Sequence, residues 1–325
     1  MQSRRYLATT VAAVLAMASL AACGGGSTGG SAGGKKKVTL IQGVANEPFY
    51  ISMYCGAKEA ASQAGVDLDV VAPAKWDTPM QQTVVDGVTA KKPDAVLIAP
   101  VDKEAMANSV KQLAGNGSKV VFVDTELTDA SVGVSRISSD NALGGKLGAQ
   151  ALAKQIGDKG KVIVLAPKKG IATTDDRVTG FKDEMKNHPN ISVVSEQYPG
   201  DDAAKSQEVV SATLAANPDL AGVFASNLVT GEGAATALKS GNKVGGVKLV
   251  EFDASPAQVD ALKAGTIQAL ISQEPLEIGR KGIEQAVNAL NGKPTESRIK
   301  TELIEVNASN VGDANVAKYL YRKDC

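Results

Sequence analysis

The sequence predicts an α/β fold made of two doubly wound lobes of parallel sheet, joined by a three-strand hinge. From Val38 onward, short β-branched runs alternate with longer segments of helical period. Most of the short runs are continuously apolar, which is typical of parallel strands covered by helices on both faces. About nine strand–helix units are present, more than one open sheet usually carries, and this count favours two lobes.

The predicted elements follow one another without interruption. The strands are expected at Val38–Ile41, Val66–Val71, Ala95–Ala99, Val120–Val123, Val162–Ala166, Ile191–Ser195, Gly222–Ala225, Lys248–Phe252 and Ala269–Ser272. The clearest helices are Ile51–Ala64, Met80–Ala90, Ala142–Ile156, Gln207–Ala216 and Leu276–Leu290. Right-handed crossovers between parallel strands place the loops that follow the strands at one edge of each sheet, where ligands bind.

Three crossings are expected between the lobes. The first lies where Val132–Ser139 leads into the helix after Asn141, the second at Gln273-Glu274-Pro275, and the third near Lys300–Leu303. Proline supports the second crossing, because it holds the preceding residue extended. The N-terminal lobe is therefore assigned to residues 38–138 and 274–301, and the C-terminal lobe with the tail to residues 139–273 and 302–325.

The N-terminus is predicted to be a secretion signal followed by a tether. Arg4 and Arg5 precede a short apolar run that ends in Leu20-Ala21-Ala22-Cys23, so residues 1–22 match a signal peptide. The cysteine after small residues resembles the bacterial lipobox, in which Cys23 is acylated; an ordinary signal peptide with an incidental cysteine is the alternative. Residues 23–37 form a glycine-rich tether, so we expect an extracytoplasmic protein whose only contact with a membrane is this lipid anchor.

The remaining two cysteines are Cys55 and Cys325, an even pair in an oxidising compartment. We expect a disulfide that attaches the C-terminus to the first helix, with two separate thiols as the alternative, because sequence does not supply the distance between them.

The composition excludes several classes of site. With 35 basic and 35 acidic residues the chain has no charge excess that would indicate a nucleic-acid partner. A single histidine, His188, argues against a metal site and against a histidine-based catalytic pair, and no phosphate-binding glycine loop is present. No cofactor and no enzymatic activity are therefore expected.

Aromatic and acidic residues are concentrated at the predicted strand ends. Glu47, Phe49 and Tyr50 follow the first strand, and Trp76 follows the second. Rings offer apolar faces and carboxylates accept hydrogen bonds, a combination suited to a sugar or polyol. Core packing for Phe49 and an exposed loop position for Tyr50 or Trp76 are the alternatives.

Two aspartates end buried strands, Asp124 and Asp253. Helix capping is the alternative role for each. After Asp253, however, Ser255 is the better cap, with Pro256 at the first helical position, so Asp253 is free to face a cleft.

Arg177, Asn227 and Gln273 complete the candidate set. Arg177 is predicted in the first turn of a helix, where a cation opposes the helix dipole and therefore needs an acceptor in the cleft or an acidic partner such as Asp175 or Asp176. Asn227 follows a strand and has helix capping as its alternative. Gln273 lies at the second crossing, where an amide could contact ligand from the hinge; a solvated linker position is its alternative.

Five short motifs together resemble the periplasmic sugar-binding proteins of the ribose- and galactose-binding type, the solute receptors of ABC importers. They are Asn46-Glu47-Pro48-Phe49-Tyr50, Pro100-Val101-Asp102, Ser139-Asp140-Asn141-Ala142-Leu143-Gly144-Gly145, Arg177 four residues before Phe181, and Phe252-Asp253. The resemblance extends from Val38 to about Val306. It implies that the positions of Phe49 and Tyr50 sandwich a sugar ring and that those of Asp124, Arg177, Asn227, Asp253 and Gln273 bind its hydroxyls. It also implies a monomer that closes on its ligand and is recognised by an ABC permease.

Three positions depart from the pattern of ribose-binding members. Thr125 stands where they have an arginine, Ala99 where an amide is common, and Glu47 replaces another amide. Two donors are lost and one acceptor is gained, so we expect a ligand other than ribose, such as a polyol, another pentose or a hexose. A receptor that signals rather than transports, and a non-sugar polyhydroxylated ligand, remain open alternatives.

Overall fold

The structure, a computed structural model, describes residues 34–325. The predicted signal peptide, the acylated Cys23 and most of the tether therefore lie outside the described residues. Residues 35–325 form one compact unit. Within residues 34–325, no helix has the length and apolar character needed to cross a bilayer.

Twelve strands of the described chain form two six-stranded sheets. The N-terminal sheet has the order β11-β5-β4-β3-β1-β2, and all its strands are parallel. Its strands are β1 Lys37–Ile41, β2 Asp67–Val71, β3 Ala95–Ile98, β4 Lys119–Val123, β5 Gly133–Ser139 and β11 Ile299–Thr301.

The C-terminal sheet repeats this arrangement in the order β12-β10-β9-β8-β6-β7, and only β12, on the edge, runs antiparallel to its neighbour. Its strands are β6 Gly160–Leu165, β7 Ile191–Gln197, β8 Leu220–Ala225, β9 Lys248–Phe252, β10 Ala269–Gln273 and β12 Leu303–Asn307. The predicted fold class of two doubly wound lobes is thus confirmed.

Helices cover both faces of each sheet. They are α1 Pro48–Ala64, α2 Thr78–Lys91, α3 Ala107–Gly115, α4 Asn141–Gln155, α5 Ala172–Met185, α6 Ala203–Ala216, α7 Leu228–Ser240, α8 Pro256–Lys263 and α9 Pro275–Leu290, with a 3₁₀ turn at Ala317–Tyr319. Successive residues of one strand pack into different cores: Leu40 of β1 belongs to one apolar cluster and Ile41 to another. Burial on both faces explains why the strand sequences are continuously apolar.

The chain passes between the sheets at the three positions where crossings were expected. β5 leads into α4 at Ser139–Asn141, β10 into α9 at Gln273–Pro275, and β11 into β12 at Thr301–Leu303. One side chain from each crossing joins a single hydrogen-bonded group. The Ser139 hydroxyl donates to Gln273 Oε1 over 2.8 Å and lies 3.3 Å from the Thr301 hydroxyl. The hinge is therefore tied together by side chains next to the ends of the sheets.

The last residues of the tail lie against the N-terminal lobe, where the expected disulfide attaches them to the first helix. Val316 packs in a core of the C-terminal lobe, but Tyr321 packs in a core of the N-terminal lobe. In addition, Cys325 is joined by a disulfide to Cys55 of α1, with Cα atoms 5.6 Å apart. The tail thus crosses back to the N-terminal lobe after Leu320, which the three-strand description of the hinge did not include.

Candidate ligand-binding site

A cavity of about 450 Å³ lies where strand-end loops of the two lobes meet. Nine of the ten predicted ligand-binding residues line it, namely Glu47, Phe49, Tyr50, Trp76, Asp124, Arg177, Asn227, Asp253 and Gln273. Its remaining lining residues are Pro167, Ile171, Thr173, Thr174 and Asp201. Both lobes contribute walls, so a molecule in the cavity would contact both.

Thr125, the tenth predicted residue, lies elsewhere. It is buried and lines an adjacent cavity that shares only Asp124 and Thr173 with the central one. Asp124 takes a left-handed conformation with φ 64°, and this turn directs the chain after Asp124 away from the central cavity. Thr125 was predicted from its position next to Asp124, and the sequence did not show that the backbone turns between them.

The aromatic wall comes from the N-terminal lobe. The rings of Tyr50 and Trp76 are 6.1 Å apart and inclined by 34°, and the indole nitrogen of Trp76 donates to the carbonyl of Val101 over 2.9 Å. Gly43 lies directly against both rings, where any side chain would overlap them. These contacts fix the orientation of the wall before any ligand arrives.

The expectation that Phe49 and Tyr50 sandwich a sugar ring is wrong. Their centroids are 5.2 Å apart with planes at 89°, an edge-to-face pair with no gap between parallel faces. Phe49 packs in the N-terminal core, which was its alternative role, and it also lines the cavity. Adjacent residues at the start of a helix diverge around its axis, which is why they do not face each other.

Asp253 is held by hydrogen bonds from three directions. Its Oδ1 accepts from Gln273 Nε2 and from the Tyr321 hydroxyl, both over 2.8 Å, and its Oδ2 accepts from the backbone N–H of Leu228 over 3.1 Å. The capping role falls to Ser255, which forms a capping box with Gln258, as the sequence indicates. Asp253 therefore does not cap α8, and its carboxylate is fixed in the cavity wall.

Asp124 occupies the corresponding place in the N-terminal lobe. Its Oδ2 accepts a hydrogen bond of 2.6 Å from the Tyr50 hydroxyl. Burial raises the pKa of Asp124 to about 6, and the hydrogen bond from Tyr50 opposes that shift. The carboxyl can thus change its charge close to neutral pH.

Arg177 lies in the second turn of α5 rather than in the first turn predicted, because the helix begins at Ala172. Its Nε donates to Asn141 Oδ1 over 2.9 Å and one terminal nitrogen to the carbonyl of Ser226 over 2.8 Å. The guanidinium also stacks on the ring of Phe252, 3.6 Å from its centroid. None of these partners is an acid, so none of these contacts offsets the positive charge of the guanidinium beside the cavity.

Close packing of α4 on α5 determines where Arg177 can reach. A side chain at Gly145 would overlap the backbone carbonyl of Arg177, and one at Gly180 would overlap that of Ala142. The two glycines let the helices approach until Asn141, at the start of α4, meets the guanidinium.

Asn227 has the capping role that the sequence left as its alternative, and its side chain also lines the cavity. Its Oδ1 caps α7 by accepting from the Thr230 hydroxyl and backbone N–H, while its Nδ2 donates to Asp201 Oδ1 over 3.1 Å. Both Asn227 and Asp201 line the cavity.

Asp201, which was not among the residues predicted from the sequence, stands next to Asp202 just before α6. The structure divides the pair. Asp202 caps α6 by accepting from the N–H groups of Ala204 and Lys205, whereas Asp201 stands at the rim of the cavity. A single cap is enough for a helix, so an adjacent second aspartate is the signal that could have revealed the site.

The described lining has four acidic residues, Glu47, Asp124, Asp201 and Asp253, and one basic residue, Arg177. The pKa of Glu47 lies well above its usual range, because the surrounding protein desolvates the carboxyl and Asp253, Asp201 and Asp124 repel its charge. The carboxylates offer hydrogen-bond acceptors to ligand hydroxyls, and the raised pKa of Glu47 favours a protonated carboxyl that can also donate.

The lobes touch across the mouth of the cleft. The N–H of Lys103 in the N-terminal lobe donates to the carbonyl of Gly170 in the C-terminal lobe over 3.0 Å. The Lys103 ammonium pairs with Asp175 at 2.7 Å. These contacts hold the two lobes closed over the cavity.

Comparison with known proteins agrees with this architecture. A family model described as a periplasmic binding protein domain matches residues 38–294. The chain belongs to the periplasmic binding protein family. The ribose import binding protein of Salmonella typhimurium is 33% identical over 297 residues, which are 91% of this chain and 96% of that protein. The D-apiose import binding protein of Paraburkholderia graminis is 27% identical, with 86% and 88% covered.

Solved structures of ABC transporter solute-binding proteins have the same fold. One from Agrobacterium vitis, bound to α-D-tagatopyranose, is 40% identical with a TM-score of 0.87, covering 89% of this chain and all of that one. Another from Agrobacterium radiobacter, in complex with D-arabinose, is 26% identical with a TM-score of 0.84, covering 88% and 99%. This periplasmic binding protein is thus an extracytoplasmic sugar-binding component of the ABC transport type, and not an enzyme.

Proposed function

We propose that this periplasmic binding protein captures a small sugar or polyol in the inter-lobe cavity and delivers it to an ABC importer. The observation that carries the proposal is the division of the lining. Aromatic rings come from the N-terminal lobe, while hydrogen-bonding side chains come mainly from the C-terminal lobe. Such a site recognises a polyhydroxylated molecule only when both lobes enclose it.

A buried hydroxyl adds support for a polar ligand. Thr174 lines the cavity, and its Oγ1 has no hydrogen-bond partner among the described residues. An unpaired buried hydroxyl costs roughly 1–3 kcal/mol, a penalty that a ligand oxygen in the cavity would remove.

Two features favour a ligand other than ribose. Glu47 places a carboxyl in the wall where ribose-binding members have an amide, and Asp201 places a further carboxyl at the rim. Sugars or polyols that donate hydroxyls toward these carboxylates fit best. D-tagatose and D-arabinose, bound by the two Agrobacterium proteins, are the natural first probes.

The membrane anchor is proposed from residues 20–23. Acylation of Cys23 would hold the protein at the membrane surface, where a permease can receive the ligand. Substitution Cys23→Ser should move the protein from the membrane fraction to the soluble fraction. Uptake of the radiolabelled sugar should stop in a strain that lacks the protein and return when the wild-type chain is supplied.

A thermal-shift screen of residues 35–325 against pentoses, hexoses, inositols and linear polyols tests the binding proposal. A compound that binds only the folded protein adds about 2.7 kcal/mol to stability at 100 times its dissociation constant. At least one compound should raise the midpoint of the wild type and fail to raise that of Asp253→Ala. A flat response of well-folded wild-type protein would overturn the proposal.

A further inference from the structure

The last residues of the chain form a strap between the two lobes, here called the C-terminal strap and defined as residues 319–325. Its beginning is attached to the C-terminal lobe, where the Ser272 hydroxyl donates to the carbonyl of Tyr319. Its end is attached to α1 of the N-terminal lobe through the Cys55–Cys325 disulfide and a hydrogen bond of 2.7 Å from the Arg322 N–H to the Ser52 hydroxyl.

Tyr321 lies in the middle of the strap and contacts both lobes at the cavity. Its backbone N–H donates to the carbonyl of Ala254 over 3.0 Å, and its hydroxyl donates to Asp253 Oδ1 over 2.8 Å. Its ring packs edge-on against Phe49, 5.7 Å between centroids. The side chain is 5% exposed and so has little freedom to leave this position.

We propose that Tyr321 is a positioning residue for ligand capture, held in place by the disulfide-anchored C-terminal strap. The proposal rests on the proposed function. The Tyr321 hydroxyl and Gln273 Nε2 both donate to Asp253 Oδ1. Because these donors fix the carboxylate plane, the remaining acceptor sites of Asp253 point in a defined direction for a ligand hydroxyl.

The geometry also explains why the disulfide matters to the site. α1 carries Tyr50 of the aromatic wall as well as Ser52 and Cys55. The strap therefore links the helix that supplies the wall to the carboxylate that supplies the acceptor. Without the covalent link, the strap keeps only single hydrogen bonds to α1, among them the bond from Arg322 to Ser52.

The test is a double-mutant cycle on the binding of D-tagatose, or of D-arabinose if the thermal-shift screen selects it. Tyr321→Phe removes one hydroxyl and keeps the ring. It should weaken binding by roughly tenfold, the loss expected for one hydrogen bond to a charged group. In the Asp253→Ala background, where the Tyr321 hydroxyl has no side-chain acceptor at position 253, the same substitution should have little further effect, since Tyr321 acts through that carboxylate.

Tyr319→Phe is the matched control. Tyr319 lies on the same strap, and its hydroxyl donates to Glu302 Oε2 away from the cavity, so its loss should leave the affinity unchanged. The double variant Cys55→Ser/Cys325→Ser should weaken binding in the same direction as Tyr321→Phe, because the strap loses its anchor.

Each outcome decides the inference. Wild-type affinity in Tyr321→Phe, or equal losses in the wild-type and Asp253→Ala backgrounds, would overturn it while leaving the proposed function intact. A wild-type protein that binds no sugar or polyol would overturn the proposed function and this inference with it. Loss of affinity at an unchanged unfolding midpoint separates positioning from a general loss of structure.

Discussion

Asp124 and Asp253 occupy equivalent positions in the two lobes, and each accepts a hydrogen bond from a tyrosine hydroxyl. They follow β4 and β9, which hold the same place in their sheets, and both have left-handed backbones, with φ of 64° and 80°. Tyr50 donates to Asp124 over 2.6 Å and Tyr321 to Asp253 over 2.8 Å. The cavity thus contains two carboxylates, and a tyrosine hydroxyl fixes the orientation of each one.

Substitutions of the neighbouring residues Asp201 and Asp202 should have different effects, one on ligand binding and the other on stability. Asp201→Ala removes a rim acceptor and leaves Asn227 Nδ2 unpaired, so it should weaken binding of the selected sugar by about three- to tenfold with little change in unfolding. Asp202→Ala removes the cap of α6 and should lower stability by about 1 kcal/mol with binding intact. Calorimetric titration and urea unfolding measure the two effects, and the reverse pattern would contradict the assignment of the pair.

Binding should depend on pH through Asp124. In the proposed site a ligand hydroxyl donates to the Asp124 carboxylate, whose pKa in the free protein is about 6, so protons should compete with ligand below that pH. Affinity should be full above pH 7 and fall up to about tenfold for each unit below 6. Titrations between pH 5 and 8 measure this, and Asp124→Asn should remove the step near pH 6. A wild-type affinity that does not change over this range would count against the role of Asp124.

Glu251 makes the protein less stable at higher pH. The carboxyl is fully buried in β9, its Oε2 accepts from Gln258, and burial raises its pKa from 4.5 to about 8. The folded protein therefore holds a proton that unfolding releases. This contribution to the free energy of unfolding is complete below pH 4.5 and is lost as pH rises through 8, by at most about 1.4 kcal/mol per unit.

Glu251→Gln tests that linkage. The amide stays neutral at every pH, so the variant should be more stable than wild type at pH 7, by up to about 3 kcal/mol, and equal to it near pH 4.5. Urea unfolding at several pH values measures the difference. The exposed substitution Glu208→Gln is the control, and parallel wild-type and Glu251→Gln profiles would show that Glu251 is ionised in the folded protein.

Lys103 should slow ligand release by holding the cleft closed. Its pair with Asp175 joins the lobes, with side chains 33% and 25% exposed, so it contributes at most about 1 kcal/mol. Lys103→Met should raise the dissociation rate of the selected sugar by up to about fivefold. Lys182→Met breaks a pair of the same length, with Glu196, inside the C-terminal lobe and should leave the rate unchanged. Stopped-flow displacement measures the dissociation rates of both variants. Equal rates would show that the Lys103–Asp175 pair does not slow ligand release.

The sequence was sufficient for the features determined by local patterns. Continuous apolar strands identified both sheets, and Ser255-Pro256 showed that Asp253 is not a cap. The path of the backbone through the turns and the orientation of side chains in the folded protein were not predictable from the sequence. The left-handed turn at Asp124 moves Thr125 out of the cavity, and the position of Tyr321 beside Asp253 and Ala254 depends on the path that the tail takes between the lobes. The edge-to-face orientation of Phe49 and Tyr50 likewise results from packing.

A crystal structure of residues 35–325 with the sugar or polyol selected by the thermal-shift screen tests the central claim most directly. The ligand should lie in the cavity between the aromatic wall of Tyr50 and Trp76 and the polar wall, with its hydroxyls within hydrogen-bond distance of Asp124, Arg177 and Asp253. A ligand bound elsewhere on the protein, or one in the cavity that leaves both aspartates uncontacted, would contradict the account.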